Sequence, residues 1–145
     1  MGIEQFALLI HIGTIISLVT VVLYTDHLGL RWVLGHIETI SAKKLQTLHR
    51  LVWSGLFIMV ASGFTMFLSY KDFLLYTPVF FIKVFFVAML VINAFAIGKF
   101  MHVATSKPFA ILSREEKLPL FVSGAVSTLG WVGAVTCGLI LSSLI

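Results

Sequence analysis

The chain has 145 residues, 59% of them hydrophobic and 11% charged, with a formal net charge of +4. Its mean hydropathy is +1.08. Globular domains average roughly 25% charged residues, so a soluble fold could not cover this much apolar surface. The composition points to a polytopic membrane protein of one domain, residues 1–145. The basic balance does not indicate nucleic acid, because the basic residues fall in two short loops where they serve topology. The single cysteine, Cys137, rules out an internal disulfide and any cysteine-based metal motif. The N-terminus has neither a basic stretch nor a small-residue cleavage site, so no removable signal peptide is expected.

A spanning helix needs about 20 mostly apolar residues. Four such runs occur, at about 5–25, 48–70, 78–101 and 118–143. They are continuous rather than alternating, which selects helices over barrel strands. The expected fold is all-α: a four-helix up-down transmembrane bundle. Residues 5–25 contain one ionisable group short of their end, His11, and Asp26 and His27 follow directly. The second run is preceded by "SAKKLQTLHRLVW", helical in pattern, so that helix should begin before the membrane does, with Ser41 as cap. The third opens on "YTPVFF", with Thr77 as N-cap and Pro78 at the first helical position, and carries Lys83 and Asn93. The fourth has Pro119 near its start. Its small residues Ser123, Ser127, Gly130, Ala134, Gly138 and Ser142 recur every three or four positions. Such spacing lets helices approach closely, within the bundle or against a second subunit or membrane partner. Ser54, Ser62 and Gly63 on the second helix could form an opposing face.

Arg31, Lys43, Lys44 and Arg50 cluster between the first two spans, and Lys99, Lys107, Arg114 and Lys117 between the last two. The loop between spans two and three holds Lys71 alone. The positive-inside rule places both basic loops in the cytoplasm and both termini outside, as in a multi-pass protein of a cell membrane, a bacterial inner membrane being the expected setting.

Ionisable residues inside a membrane are costly and mark candidate functional sites. His11 lies roughly 9 Å and Lys83 roughly 8 Å from the outer membrane edge at 1.5 Å per residue. Facing inward, the two would form an outer-leaflet site for an anion such as a carboxylate. A neutral imidazole beside an ammonium also suits metal or haem ligation. Lys83 could instead lift its ammonium to the headgroups, and His11 could simply bond a neighbouring helix. At the cytoplasmic edge, Asp26, His27, His49 and His102 form a second group, with His36 in the adjacent loop. These permit an axial His49–His102 pair or a His/Asp metal site, as bundles hold cofactors between facing helices. Histidine is also common at membrane interfaces. Asn93 is expected to make an interhelical hydrogen bond. Phosphate loops, nucleophile elbows and HExxH are missing, and every carboxylate lies at or beyond a membrane edge.

The first-helix histidine in "LLIHIGTII", the arginine opening "LHRLVWSGLFIMVASGF" and the lysine in "FFIKVFFVAML" resemble the four-helix HemJ-type protoporphyrinogen oxidases. They are also similar to the CopD-type copper-resistance membrane proteins. The resemblance implies a membrane redox protein with b-type haem held by His11, Lys83 close to the tetrapyrrole or its propionates, and Arg50 as the second-helix arginine. HemJ proteins carry an Asn-Glu-x-Pro motif before the fourth helix, where this chain has "REEKLP". The CopD likeness implies copper or another metal on His11, His49, His102, His27 and Asp26. A non-catalytic accessory subunit with no cofactor is the third expectation.

Overall fold

A computed structural model describes residues 2–145 as four long helices and one short turn. Helix α1 runs Ile3–Val33, α2 Ala42–Leu74, α3 Pro78–Ser106 and α4 Arg114–Leu144, with a 3-10 turn at Phe109–Ile111. All four are long and apolar enough to cross a membrane. Their lengths of 29 to 33 residues correspond to about 44–50 Å, against a hydrocarbon core of about 30 Å. Each helix therefore runs on past the apolar layer, chiefly at the end carrying the two basic loops.

The helix ends follow local chemistry more than hydropathy. Ser41 occupies the N-cap of α2, its hydroxyl 3.5 Å from the Lys44 amide. Thr77 is the N-cap residue of α3 with Pro78 behind it, yet its hydroxyl donates back to the Phe73 carbonyl (2.9 Å) instead of capping. Helix α4 begins four residues before the expected span. Ser113 and Glu116 form a reciprocal capping box there: the Glu116 amide donates to Ser113 Oγ and the Ser113 amide to Glu116 Oε2. Pro119 thus lies inside the helix, and the Glu115 carbonyl loses its in-helix donor. Helix α2 departs from helical geometry at Tyr70 (φ −117°, ψ 18°) before continuing to Leu74.

The bundle is two antiparallel hairpins. Helix α1 packs along α2 and α3 along α4; α2 and α3 meet more sparingly, and α1 and α4 hardly touch. Glycines set both registers. A methyl on Gly55 would meet the Leu18 side chain, and one on Gly130 or Gly133 would strike Leu90 or the Phe86 ring. The small-residue face of α4 is therefore filled by α3 of the same chain: Ser123, Gly130, Ala134 and Cys137 are all buried there. Part of the stripe that suggested an oligomer or a membrane partner is thus used within the fold, while its last member, Ser142, is exposed.

One apolar cluster draws on every helix and joins the hairpins: Leu18, Leu56, Met59, Leu90, Ala94, Trp131 and Ala134. A second closes the basic end, where Trp32 Nε1 donates to the Lys107 carbonyl (3.0 Å) and the Ile40 amide to the Ala104 carbonyl (2.9 Å). Leu9, Phe57, Phe85, Ile92 and Leu129 point outward, as side chains facing lipid do.

Gly55→Ala and Gly130→Ala should each lower stability by about 1–3 kcal/mol through overpacking. Gly124→Ala, where nothing lies within 4 Å of the new methyl, should be neutral or stabilising by about 0.5–1 kcal/mol. Denaturant unfolding of the detergent-solubilised protein measures all three.

Candidate functional site

His11 faces the bundle. It is 6% exposed and lies on the same buried stripe of α1 as Ala7 and Leu18. Its Nδ1 is 2.9 Å from Ser62 Oγ on α2. Ser62 has one hydroxyl hydrogen, and the carbonyls of Ile58 (2.8 Å) and Met59 (3.1 Å) take it. With that hydrogen on a carbonyl, the serine oxygen accepts from the imidazole, an arrangement that favours the Nδ1–H tautomer of His11. That leaves Nε2 as a bare acceptor. It is fully buried and has no hydrogen-bond partner. Gly63 supplies the space beside the ring, since a methyl there would lie 3.5 Å from His11 Cε1.

Lys83 completes the site from α3. Its Nζ reaches across to α4, 3.4 Å from where a methyl on Gly138 would sit. Gly138 is six residues from the end of α4 at Leu144, about 9 Å along the helix axis. The ammonium is thus turned into the bundle at depth and does not run up to the membrane surface. Among the described residues the sole ion pair is Lys107–Glu116 (2.7 Å), so Lys83 has no carboxylate of its own.

The site therefore holds a cation without a counter-ion and an imidazole nitrogen without a donor. An ammonium and a bare nitrogen lone pair together suit a carboxyl group, which brings an acceptor for the first and can share a proton with the second.

The other candidates lie elsewhere. His49 is half-buried; its Nε2 accepts from Trp53 Nε1 (3.1 Å) and packs over Gly98. It is thirteen residues from Ser62 along α2, about 20 Å, so it belongs to the opposite end from His11. His102, His27, Asp26, His36 and Arg50 are exposed at that basic end. His102 lies one turn beyond Gly98 on α3 and makes no side-chain contact with His49 that would pair them as ligands. Among the described residues no three His, Cys, Asp or Glu side chains are grouped to hold a metal ion. The set His11, His49, His102, His27 and Asp26 is spread over two levels of the bundle, which explains why it forms no cluster. Arg50 shares the basic end and does not reach His11 or Lys83.

Haem meets a divided result. The chemistry of His11 suits ligation, because a ligating imidazole holds its second nitrogen in a hydrogen bond, as Nδ1 is held by Ser62. Nε2 is covered by protein atoms, so any partner for this nitrogen, a haem iron or an acid alike, requires the side chains around it to part.

Asn93 makes the interhelical bond expected of it, and makes it twice. Its Nδ2 donates to the Ser123 carbonyl (3.0 Å) and its Oδ1 accepts from Ser123 Oγ (2.8 Å). Sequence reasoning read Ser62 and Ser123 as packing residues and missed them as polar partners. It also missed that Gly63, Gly98 and Gly138 lie against His11, His49 and Lys83. No protein-family model, curated protein or solved structure matches this chain at a significant level.

The His11–Ser62 bond should be measurable as a coupling. A double-mutant cycle with His11→Ala and Ser62→Ala should give about 1 kcal/mol in unfolding free energy, within the range for intramembrane hydrogen bonds.

Proposed function

We propose that this chain is an integral membrane protein that binds the carboxyl end of an amphipathic acid between Lys83 and His11. The observation that carries this reading is the buried, unpartnered Nε2 of His11, at the same end of the bundle as a Lys83 ammonium that has no carboxylate. Lys83 supplies the positive charge, and charge-assisted hydrogen bonds of this kind are the strong ones. His11 takes or shares the carboxyl proton at Nε2, while Ser62 keeps the ring oriented through Nδ1. The apolar remainder of the ligand stays among the helices or in lipid. By the positive-inside rule the site opens toward the non-cytoplasmic leaflet. Within this class of acid, the HemJ-like residues favour a tetrapyrrole held by its propionates. Redox chemistry with haem b ligated by His11 is the alternative reading, and copper handling has less support because no metal-ligand group is clustered among the described residues.

The test uses the protein in nanodiscs and metal-free protoporphyrin IX, followed by its own fluorescence. Binding is expected. It should weaken at least about tenfold for the dimethyl ester and for Lys83→Met, the scale of a lost charge-assisted bond. The complex holds one proton more than the separated neutral imidazole and carboxylate. Its dissociation constant should therefore rise with pH, by up to about tenfold per unit once the free acid is ionised. Equal binding of acid and ester contradicts the proposal. A Soret band in the haem-supplemented protein, lost in His11→Ala, would replace it with haem ligation.

A further inference from the structure

The basic end of the bundle contains a cavity of about 80 Å³. Its polar lining comes from every helix. Thr25 and Asp26 on α1 and His49 on α2 stand at the basic end, while Asn93 on α3 and Ser127 on α4 stand deeper. His49 packs over Gly98, and Asn93 is five residues further in, about 8 Å. The cavity is therefore a shaft along the bundle axis. Its deep end is closed by Leu56, Leu90 and Trp131, members of the apolar cluster that joins the two hairpins.

We infer that this shaft is a one-sided water column that brings water and protons from the basic end to the level of Asn93. The volume has room for about two or three waters at roughly 30 Å³ each. Buried water also needs two to four polar partners, and these are on hand. Asp26 is in no ion pair. Asn93 gives Nδ2 to one acceptor, the Ser123 carbonyl, which leaves its second amide hydrogen free. Trp53 occupies His49 Nε2, so the neutral ring carries its hydrogen on Nδ1 and can donate there. Ser127 Oγ makes no hydrogen bond to the protein among the described residues.

Beyond Asn93 the polar lining ends. The levels of His49 and Ser62 are about 20 Å apart and the column covers about 8 Å of that, so an apolar layer of about 12 Å remains. Leu18 and Leu56, each 2% exposed, lie in this layer. A hydrophobic constriction of this kind stops water by dewetting. The column thus ends short of His11, and the inference does not rest on what His11 and Lys83 bind.

Silver ion, close to water in size, tests it on single-cysteine variants in a Cys137→Ala background, in nanodiscs with both faces open. Loss of free thiol is followed with time. Ser127→Cys and Val52→Cys line the shaft. Leu129→Cys faces lipid, and Met59→Cys lies within the apolar layer. The thiolate is the reactive form and its charge is stable only where water reaches it. Both shaft positions should therefore react at least about tenfold faster than Leu129→Cys. Met59→Cys should be as slow as Leu129→Cys, which also shows that the variants are folded. A ratio below tenfold at either shaft position overturns the column. A fast Met59→Cys overturns its one-sidedness.

Discussion

An imidazole in hydrocarbon has two nitrogens to satisfy, and at His11 this protein satisfies one. An unmet buried polar group costs on the order of 1–3 kcal/mol. The bond from Nδ1 to Ser62 therefore fixes which face of α1 meets α2, and the Leu18–Gly55 contact two turns away repeats the same register. Ser62 is itself held by carbonyls of its own helix, which favours the tautomer with its hydrogen on Nδ1. The nitrogen left over is a fixed, directional acceptor.

The placement of ionisable groups over glycines extends the point. His11 lies against Gly63, His49 against Gly98 and the Lys83 ammonium against Gly138. A methyl at these positions would sit in ordinary contact with His11 (3.5 Å) and Lys83 (3.4 Å) and would press on His49 (3.2 Å), so each polar end lies directly against the facing backbone. Glycines thus serve both purposes: Gly55, Gly130 and Gly133 close the hairpins, and Gly63, Gly98 and Gly138 lie beside the titratable groups.

Hydropathy made the four spans and the up-down order legible, because lipid imposes length and composition on each helix. Capping residues located the starts of α2 and α3 at Ser41 and Thr77. The start of α4 was harder to see. Ser113 to Lys117 is polar and outside the apolar layer, so a reading tuned to the membrane placed the boundary near Pro119 and passed over the Ser113–Glu116 box. His11 and Lys83 stood out as charges in apolar runs. Which way they face did not, since a helix apolar all round has no phase to read. The basic-end histidines were grouped because they share a depth, yet helical phase puts His49 inside and His27 and His102 outside. Ser62 and Ser123 looked like spacers until a partner appeared opposite each. Knowing the hairpin register would have exposed both, because Ser62 falls opposite His11 and Ser123 opposite Asn93.

The account turns on the protonation state of one ring. Solid-state nitrogen NMR of the bilayer-embedded protein, with ¹⁵N-histidine and a His11→Gln variant to assign the signal, reads it directly. At neutral pH without ligand, His11 should show a protonated Nδ1 and an unprotonated Nε2, and Ser62→Ala should release that preference. A hydrogen on Nε2 in the unliganded protein would mean that the buried nitrogen is already satisfied, and the site would lose its reason to bind an acid.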